Sequence, residues 1–419
     1  MRIPLIVMIA IAGSAQGQVL IGSTTTTAGQ ASIVEVNPVS GAVRVIMTVP
    51  VPAGYEVYNM GALPPCRLAA AIQNTSTANN LSTFMKIYPA TRTSETLSFT
   101  APLSTSYTEG FDWSPRHNAF IMGYGPLGNF GTTRLALFDE NGVVLANSGA
   151  LPVGDLDCFA CSATQDLFAD FNRTTTPRVY QLSSLFPSPA VTAFASPPSM
   201  TNFHDMTIHP TSSAITFLNG NGSQLIGLVG NTYVNGPIIQ GGLNLRGLTW
   251  AHLAPIITTN SAHAIACPTG QGTFSVDGVF DAPSTIVWQW KQGNGAWIPV
   301  VDGVNETESG EDLFIASGSG TVSIALNPPA AGAYPASATE FPIMTRCIIT
   351  NDCGTVTSNE EVFTICIADF NCDASLDFFD YLDFVAAFSS SEPAADFNAD
   401  TVVDFFDYLD FVQAFSGGC

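Results

Sequence analysis

The strongest constraint on this chain is a duplication near its C-terminus. The segment Ala368-Asp-Phe-Asn-Cys-Asp-Ala-Ser-Leu-Asp-Phe-Phe-Asp-Tyr-Leu-Asp-Phe-Val385 recurs 27 residues later as Ala395-Asp-Phe-Asn-Ala-Asp-Thr-Val-Val-Asp-Phe-Phe-Asp-Tyr-Leu-Asp-Phe-Val412. Each copy puts oxygen-bearing side chains at loop positions 1, 3, 5, 9 and 12: Asp369, Asn371, Asp373, Asp377 and Asp380, then Asp396, Asn398, Asp400, Asp404 and Asp407. Position 7 offers a backbone carbonyl, from Ser375 and Val402. Residues 368–419 hold 11 acidic side chains and no basic one. Carboxylates at that density repel one another, so a cation is implied. Calcium takes six to eight hard oxygens at roughly 2.3–2.6 Å, and alternate residues of a tight loop aim them inward. Two Ca2+ ions are expected, one per loop. Position 6, normally Gly in such loops, is Ala374 and Thr401 here, and a sharp turn strains both.

After each loop, Phe378, Leu382 and Val385 fall at i, i+4 and i+7, as do Phe405, Leu409 and Val412. That spacing predicts an amphipathic helix. The pairs Phe378–Phe379 and Phe405–Phe406 occupy loop positions 10 and 11, and one Phe of each pair is expected in a small core with the other exposed. Asp at position 12, with a helix only after the loop and the unit duplicated, resembles dockerin repeats. The resemblance implies a docking module whose Phe378, Phe379, Phe405 and Phe406 meet a cohesin-like or other surface protein, with near-twofold symmetry allowing two orientations. The chain ends Ser416-Gly-Gly-Cys419, which resembles GC-type dockerin-domain-anchored exported bacterial proteins. Two roles are open for Cys419. It pairs with Cys372 as a staple for a module too small to build a large core, or it is a surface attachment point.

Export is also the reading of the N-terminus. Arg2 precedes an apolar run from Ile3 to Ala12, and Ala15-Gln16-Gly17 offers small residues before a cleavage site after Gly17. The run is short for a membrane span, and no later segment has about 18 uninterrupted apolar residues. The expectation for residues 1–17 is a signal peptide, and for the mature chain a secreted or cell-surface protein with no membrane span. Twelve basic against 34 acidic residues, a net charge of −22, argues against a nucleic-acid partner, which needs Lys and Arg to neutralise phosphate. Nine cysteines in an exported chain suggest disulfides, and the odd count leaves at least one free or paired between chains.

Between residues 18 and 255 a weak repeat of roughly 47 residues appears. Its anchors are Gly110-Phe-Asp-Trp-Ser-Pro115, Asp157-Cys-Phe-Ala-Cys-Ser162, Asp205-Met-Thr-Ile-His-Pro210 and Gly247-Leu-Thr-Trp-Ala-His252, with an earlier copy from Gly61 to Thr100. Four short strands per 40–50 residues is the period of a propeller blade. The strands Ser32–Val36 and Ala42–Met47 lack an inner strand, which the orphan at 247–252 is free to supply. Closure of that kind gives a β-propeller of about five blades. The starts of the anchor strands then surround the channel mouth, where Glu109, Asp157, His204, Asp205 and Arg246 form a candidate ligand site, with carbohydrate among the partners considered.

Other motifs here carry less. Gly123-Tyr-Gly-Pro-Leu-Gly128 matches the dinucleotide fingerprint, but Arg134–Phe138 reads as a strand where that fingerprint needs a helix. Cys158-Phe-Ala-Cys161 lacks the second pair of a zinc site, leaving structural cysteines or a local disulfide. His204 and His209, five apart, face opposite ways on a strand.

Residues 256–367 change character. Gly272–Val276, Ile286–Trp290, Thr321–Ala325, Met344–Ile349 and Thr355–Thr357 read as strands, with a Trp strand followed by a Cys strand. This resembles immunoglobulin-like domains of bacterial surface proteins, which implies a β-sandwich with Trp290 in its core and a spacer role. Phe274 and Val276 stand where that family carries its first intersheet Cys, and Cys267, Cys347, Cys353 and Cys366 allow three pairings. The whole reads as a mainly β chain of four segments: 1–17, 18–255, 256–367 and a small helical dockerin-like module at 368–419. The expected function is non-catalytic, a binding or structural protein tethered through its C-terminus. The alternative is a polysaccharide-degrading enzyme carried by a dockerin. Such an enzyme needs paired carboxylates, and Glu109 and Asp157 are its nearest candidates.

Overall fold

The computed structural model describes residues 18–25, 29–74, 83–100, 106–126, 133–152, 156–170, 178–195, 203–267, 270–281, 283–306, 310, 312–328, 343–373, 375–398 and 400–418. Residues 1–17, the expected signal peptide, lie outside them. The chain divides into two compact units, Met1–Ile256 with Val279–Pro283, and Ile257–Gly278 with Ser284–Cys419.

Among the described residues, five four-stranded antiparallel sheets make up the first unit. The first uses β1 (Val19–Thr24), β2 (Gln30–Val36) and β3 (Val43–Pro50). The next four are meanders: β4 (Tyr55–Leu63), β5 (Arg67–Asn74), β6 (Thr83–Tyr88) and β7 (Thr93–Ser98); β8 (Ser106–Ser114), β9 (Ala119–Pro126), β10 (Arg134–Phe138) and β11 (Val144–Ala150); β12 (Leu156–Cys161), β13 (Asp166–Asp170), β14 (Arg178–Ser184) and β15 (Ala190–Ala195); β16 (Phe203–Ile208), β17 (Ile215–Asn219), β18 (Gln224–Val229) and β19 (Thr232–Ile238). The first sheet is then completed by β20 (Leu245–Ala251), which pairs antiparallel with β1, Leu20 opposite Trp250. Inner strands β4, β8, β12, β16 and β20 pack side by side, and β20 meets β4 again. The ring is a five-bladed β-propeller, joined by strands from the two ends of the unit. Sharing that sheet hides edges that would otherwise template association.

Hydrophobic patterning explains the radial order. Second strands such as β5, with Leu68 to Ile72 wholly buried, lie between neighbouring blades. Outer strands such as β7 alternate toward solvent. Aromatic rings fill the wedge between the second and third blades, where Phe84, Phe99, Phe111, Phe120 and Phe138 form one cluster. On the inner strands a Cβ would crowd a neighbouring strand at several glycines, Gly247 and Gly61 among them. A Cβ on Gly247 would lie 2.4 Å from Met60 Cγ, and one on Gly61 would lie 2.7 Å from Asp112 Oδ1.

Two further sheets open the second unit. One runs β21 (Ile256–Asn260), β23 (Gly272–Val279), β28 (Ser323–Asn327), β27 (Asp312–Ser317), β26 (Gly303–Glu306). The other runs β22 (Ala264–Ala266), β31 (Glu361–Ile365), β29 (Ile343–Asn351), β24 (Thr285–Gln292), β25 (Ile298–Pro299), with β30 (Gly354–Thr357) also on β29. Aromatic contacts join their facing sides: Trp290 meets Phe314 edge-on at 5.4 Å, and Phe274 meets Phe363 at 6.3 Å. Trp288 is buried too and donates Nε1–H to the Thr321 carbonyl at 2.8 Å.

The cysteines depart from both pairings considered in the sequence. Cys372 bonds Cys267, with 5.3 Å between their Cα atoms, so the staple between Cys372 and Cys419 does not form. Cys419 itself lies outside the described residues. Cys347 is a buried free thiol, as is Cys158, and Cys161 is also free. The four-cysteine set 267, 347, 353 and 366 therefore does not close on itself, and Cys158 and Cys161 are structural cysteines rather than a local disulfide. Three apart on a strand, their side chains point to opposite faces.

After the sandwich come α1 (Phe378–Ser389) and α2 (Phe405–Gly417), each preceded by one acidic loop. Phe384 and Phe411 stack at 3.9 Å with their planes 5° apart, and Ala368, Ala387 and Ala395 bury around them. Tyr381 and Tyr408 meet hydroxyl to hydroxyl at 3.0 Å. These equivalent pairs give the module internal twofold pairing. The helix face differs from the expected one: Tyr381, Phe384, Val385 and Phe388 face the core, while Phe378 and Leu382 face out. All four paired phenylalanines, Phe378, Phe379, Phe405 and Phe406, are 63–64% exposed, which overturns the expected division of each pair. The N3 residues Asp380 and Asp407 turn inward to cap their helices and loops, and that rotation carries the neighbouring phenylalanines outward.

Candidate functional site

Each inner strand of the ring carries one slip in its pairing, near its start. The slips fall between Val57 and Asn59, Glu109 and Phe111, Leu156 and Cys158, Phe203 and Asp205, and Leu245 and Gly247. The residues skipped are Tyr58, Gly110, Asp157, His204 and Arg246. A bulge leaves one residue unpaired and re-aims its side chain. Here the four with side chains are half-buried, while the residues after them are buried. Three of the five residues expected at the mouth, Asp157, His204 and Arg246, are thus bulge residues. Glu109 lies beside the Gly110 bulge on β8, and its side chain lies outside the described set.

His204 and Arg246 are in contact, with Arg246 Nη1 2.8 Å from His204 Nε2. Arg246 Nη2 lies 3.8 Å from Glu56 Oε2 on β4. Asn59 Nδ2 donates to the His204 carbonyl at 3.2 Å. Burial, reinforced by the Arg246 charge, pushes His204 down to about 4, so its imidazole is neutral at neutral pH. Glu56 and Asn59 escape a sequence reading because the first repeat is read from Gly61, after the start of β4.

Asp205 does not belong to the mouth. It is fully buried, and its carboxylate holds three inner strands together. Oδ1 accepts from Asn59 Nδ2 at 3.1 Å and from its neighbour Met206 N at 3.0 Å. Oδ2 accepts from Met60 N at 3.1 Å and Leu248 N at 2.8 Å. Because β4 and β16 are not adjacent in the ring, this side chain ties together the strands on either side of β20 as well as β20 itself. Asp112 does similar work on β8, accepting from Cys161 N of β12 at 2.7 Å. Burial pushes both carboxyls well up, and the N–H donors pull them back. His209 is structural as well: Thr211 N and Ser212 N point at its Nδ1, at 3.3 and 3.2 Å, and its ring meets Trp250 edge-on.

In the acidic loops the two copies fold alike. Asn371 Oδ1 accepts from Asp373 N, and Asp373 Oδ1 from Ser375 N, at 3.0 and 2.9 Å. Asn398 and Asp400 repeat this toward Asp400 N and Val402 N at the same distances. Asp377 and Asp404 cap their helices, each accepting from a Phe N–H at 2.8 Å. Asp369, Asp380 and Asp407 are buried, and Asp396 Oδ1 is buried with no hydrogen-bond partner. No Lys or Arg lies within the segment to offset these charges. Oxygen-only donors, buried carboxylates and an orphaned acceptor fit a hard divalent cation. Thr401 at position 6 of the second loop has φ +74°, in the region that β-branched residues avoid. Ala374, its counterpart, lies outside the described residues.

No family model matches the chain, and no curated protein matches it. Among solved structures it is similar to one titled "Structure of Dos1 propeller", at 12% identity and a TM-score of 0.30, covering 74% of this chain and 77% of that one. At that distance the likeness adds nothing to the ring closure, on which the propeller assignment rests. Among the described residues, no helix is long and apolar enough to cross a membrane.

Proposed function

We propose that this is an exported, non-catalytic binding protein held at a surface or in a complex by a calcium-dependent, dockerin-like module. In this reading Asp369, Asn371, Asp373, Asp377 and Asp380, with the Ser375 carbonyl, hold one Ca2+. Asp396, Asn398, Asp400, Asp404 and Asp407, with the Val402 carbonyl, hold the other. The immunoglobulin-like sandwich acts as a spacer, and the propeller displays a ligand site. The observation that carries the proposal is the exposure of all four phenylalanines beside two acidic loops, each closed by a buried carboxylate, Asp380 or Asp407. Large apolar side chains are seldom left in water in such clusters without a partner, and apolar anchors commonly dominate an interface. Their equivalent places on paired helices support a partner of cohesin-like kind approached in either orientation.

The test uses the full chain, because Cys372 is bonded outside the module. Calorimetric titration should count two Ca2+, and one after Asp369→Ala or Asp396→Ala. Replacing Phe379 and Phe406 with Ala should release the protein from cells while the count stays at two. Failure to bind calcium at millimolar concentration sinks the reading, and so does undiminished attachment of the double Phe variant.

A further inference from the structure

The two acidic loops repeat in sequence but are anchored differently. Position 4 of the first is Cys372, and position 4 of the second is Ala399. Cys372 is bonded to Cys267, 105 residues earlier, which directly follows β22. β22 runs beside β31, with Ala266 opposite Ile365, and β31 leads into the first loop. Cys366 N donates to the Ala266 carbonyl at 2.8 Å, and Asp369 N to the Cys366 carbonyl at 3.3 Å. The neighbours Ala266 and Cys267 thus hold this stretch at two points, by a hydrogen bond at Cys366 and a covalent bond at Cys372. Asp369 and Asn371, at loop positions 1 and 3, lie between those points, and Asp373, at position 5, follows the second.

The second loop carries no cysteine, and its start is held by the module's own core, through Ala395 and Phe397. In the first loop Cys372 sits at φ +59°, where a non-glycine residue seldom stays unless its surroundings hold it. The bond to Cys267 supplies that hold. It fixes the turn that sets Asn371 and Asp373 on either side of Cys372, and their Oδ1 atoms accept from Asp373 N and Ser375 N. A loop already held in its binding shape loses less chain freedom when an ion enters.

We propose that the Cys267–Cys372 bond sets the calcium affinity of the first loop, so that a dithiol reductant weakens that site and leaves the second alone. The inference rests on the reading of both loops as calcium sites and adds redox control of one of them. Cys372 is exposed and Cys267 buried, so a thiolate of the dithiol attacks the Cys372 sulfur, forms a mixed disulfide and expels Cys267 as a thiolate. The second thiolate of the reductant then closes its own disulfide and releases Cys372. Two electrons pass from the dithiol to the protein, and its two protons end on the two cysteines. Linkage requires the converse: calcium protects the bond from reduction by the same factor by which the bond tightens calcium.

The experiment uses the full chain, with Asp396→Ala to isolate the first loop and Asp369→Ala to isolate the second. Replacing Cys267 and Cys372 with Ser in the Asp396→Ala chain should weaken calcium about tenfold by calorimetry. That is about 1.4 kcal/mol, no more than the cost of ordering one backbone residue. The same replacement in the Asp369→Ala chain should leave calcium affinity unchanged. A second measurement needs no cysteine substitution. The wild-type chain is equilibrated in mixtures of reduced and oxidised dithiothreitol, with and without saturating calcium. Alkylated cysteines are assigned by mass spectrometry, because Cys66, Cys353 and Cys366 are also in disulfides. Calcium should raise the ratio of reduced to oxidised dithiothreitol needed to open Cys267–Cys372 by the same factor, about tenfold, and this decides the matter if the cysteine variant fails to fold. Unchanged affinity at the first loop, or no protection of the bond, would overturn the inference and leave the calcium reading standing. An equal loss at the second loop would overturn it in favour of a general loosening of the module. If the oxidised wild-type chain binds no calcium, the reading of the loops fails and the inference falls with it.

Discussion

Asp205→Asn tests the physical account of how the ring is held. Each carboxylate oxygen accepts two N–H groups from inside the protein, and the four donors come from three inner strands. The amide substitution preserves shape but turns one acceptor into a donor. Whichever way it is seated, two buried N–H groups then face an NH2. Leaving a buried donor unsatisfied costs about 1–3 kcal/mol, so the variant should lose about 2–6 kcal/mol, a large share of the ~5–15 kcal/mol typical of a domain. Urea unfolding read at ring residues gives the size of the loss. Hydrogen exchange gives its location, because the Met60 and Leu248 amides should lose protection before amides of the outer strands do. A loss below ~1 kcal/mol with both amides still protected would refute the reasoning, since it would mean the carboxylate is not the common acceptor of those strands.

Two other outcomes follow from local geometry. Thr401→Gly removes a β-branched residue from φ +74°; relief of about 1–2 kcal/mol, less glycine's own entropic cost of about 0.5–1 kcal/mol, should tighten calcium at the second loop several-fold in an Asp369→Ala background, and calorimetry showing equal or weaker affinity counts against it. His204 is depressed to about 4 in the folded ring from an unfolded value near 6.5. Its contribution is therefore full above pH ~6.5 and lost as pH falls toward 4. Asp112 and Asp205, whose folded values are raised, favour the folded state in acid, so the comparison must be between wild type and His204→Gln. The variant should show a shallower loss of stability across pH 6.5 to 4, and parallel curves would contradict the assignment.

Periodicity along the chain was enough to read the blade repeat, the alternation of buried and exposed strands, and the orphan strand later seen as β20. Each of these depends on local burial pattern, which a sequence records directly. The duplicated loops were legible for the same reason: the spacing of oxygen-bearing side chains within twelve residues is a local property, and the two copies fold alike. The mouth was only half legible. The positions of Asp157, His204 and Arg246 could be read from the repeat, but nothing in composition marks a bulge, and Glu56 and Asn59 lie outside the repeat as it appears in the sequence. Asp205 looked like its neighbours until the ring closed over it. The slip in register that turns His204 outward turns Asp205 inward, to donors on strands roughly 40 and 145 residues away. The outward turn of the paired phenylalanines and the bond from Cys372 to Cys267 likewise depend on which surfaces meet in space. Local sequence determined the elements and the spacing of the loop oxygens. The tertiary structure decided which side chains are used up inside the protein and which are left exposed, because hydrogen-bond satisfaction and burial are settled only when distant strands come together.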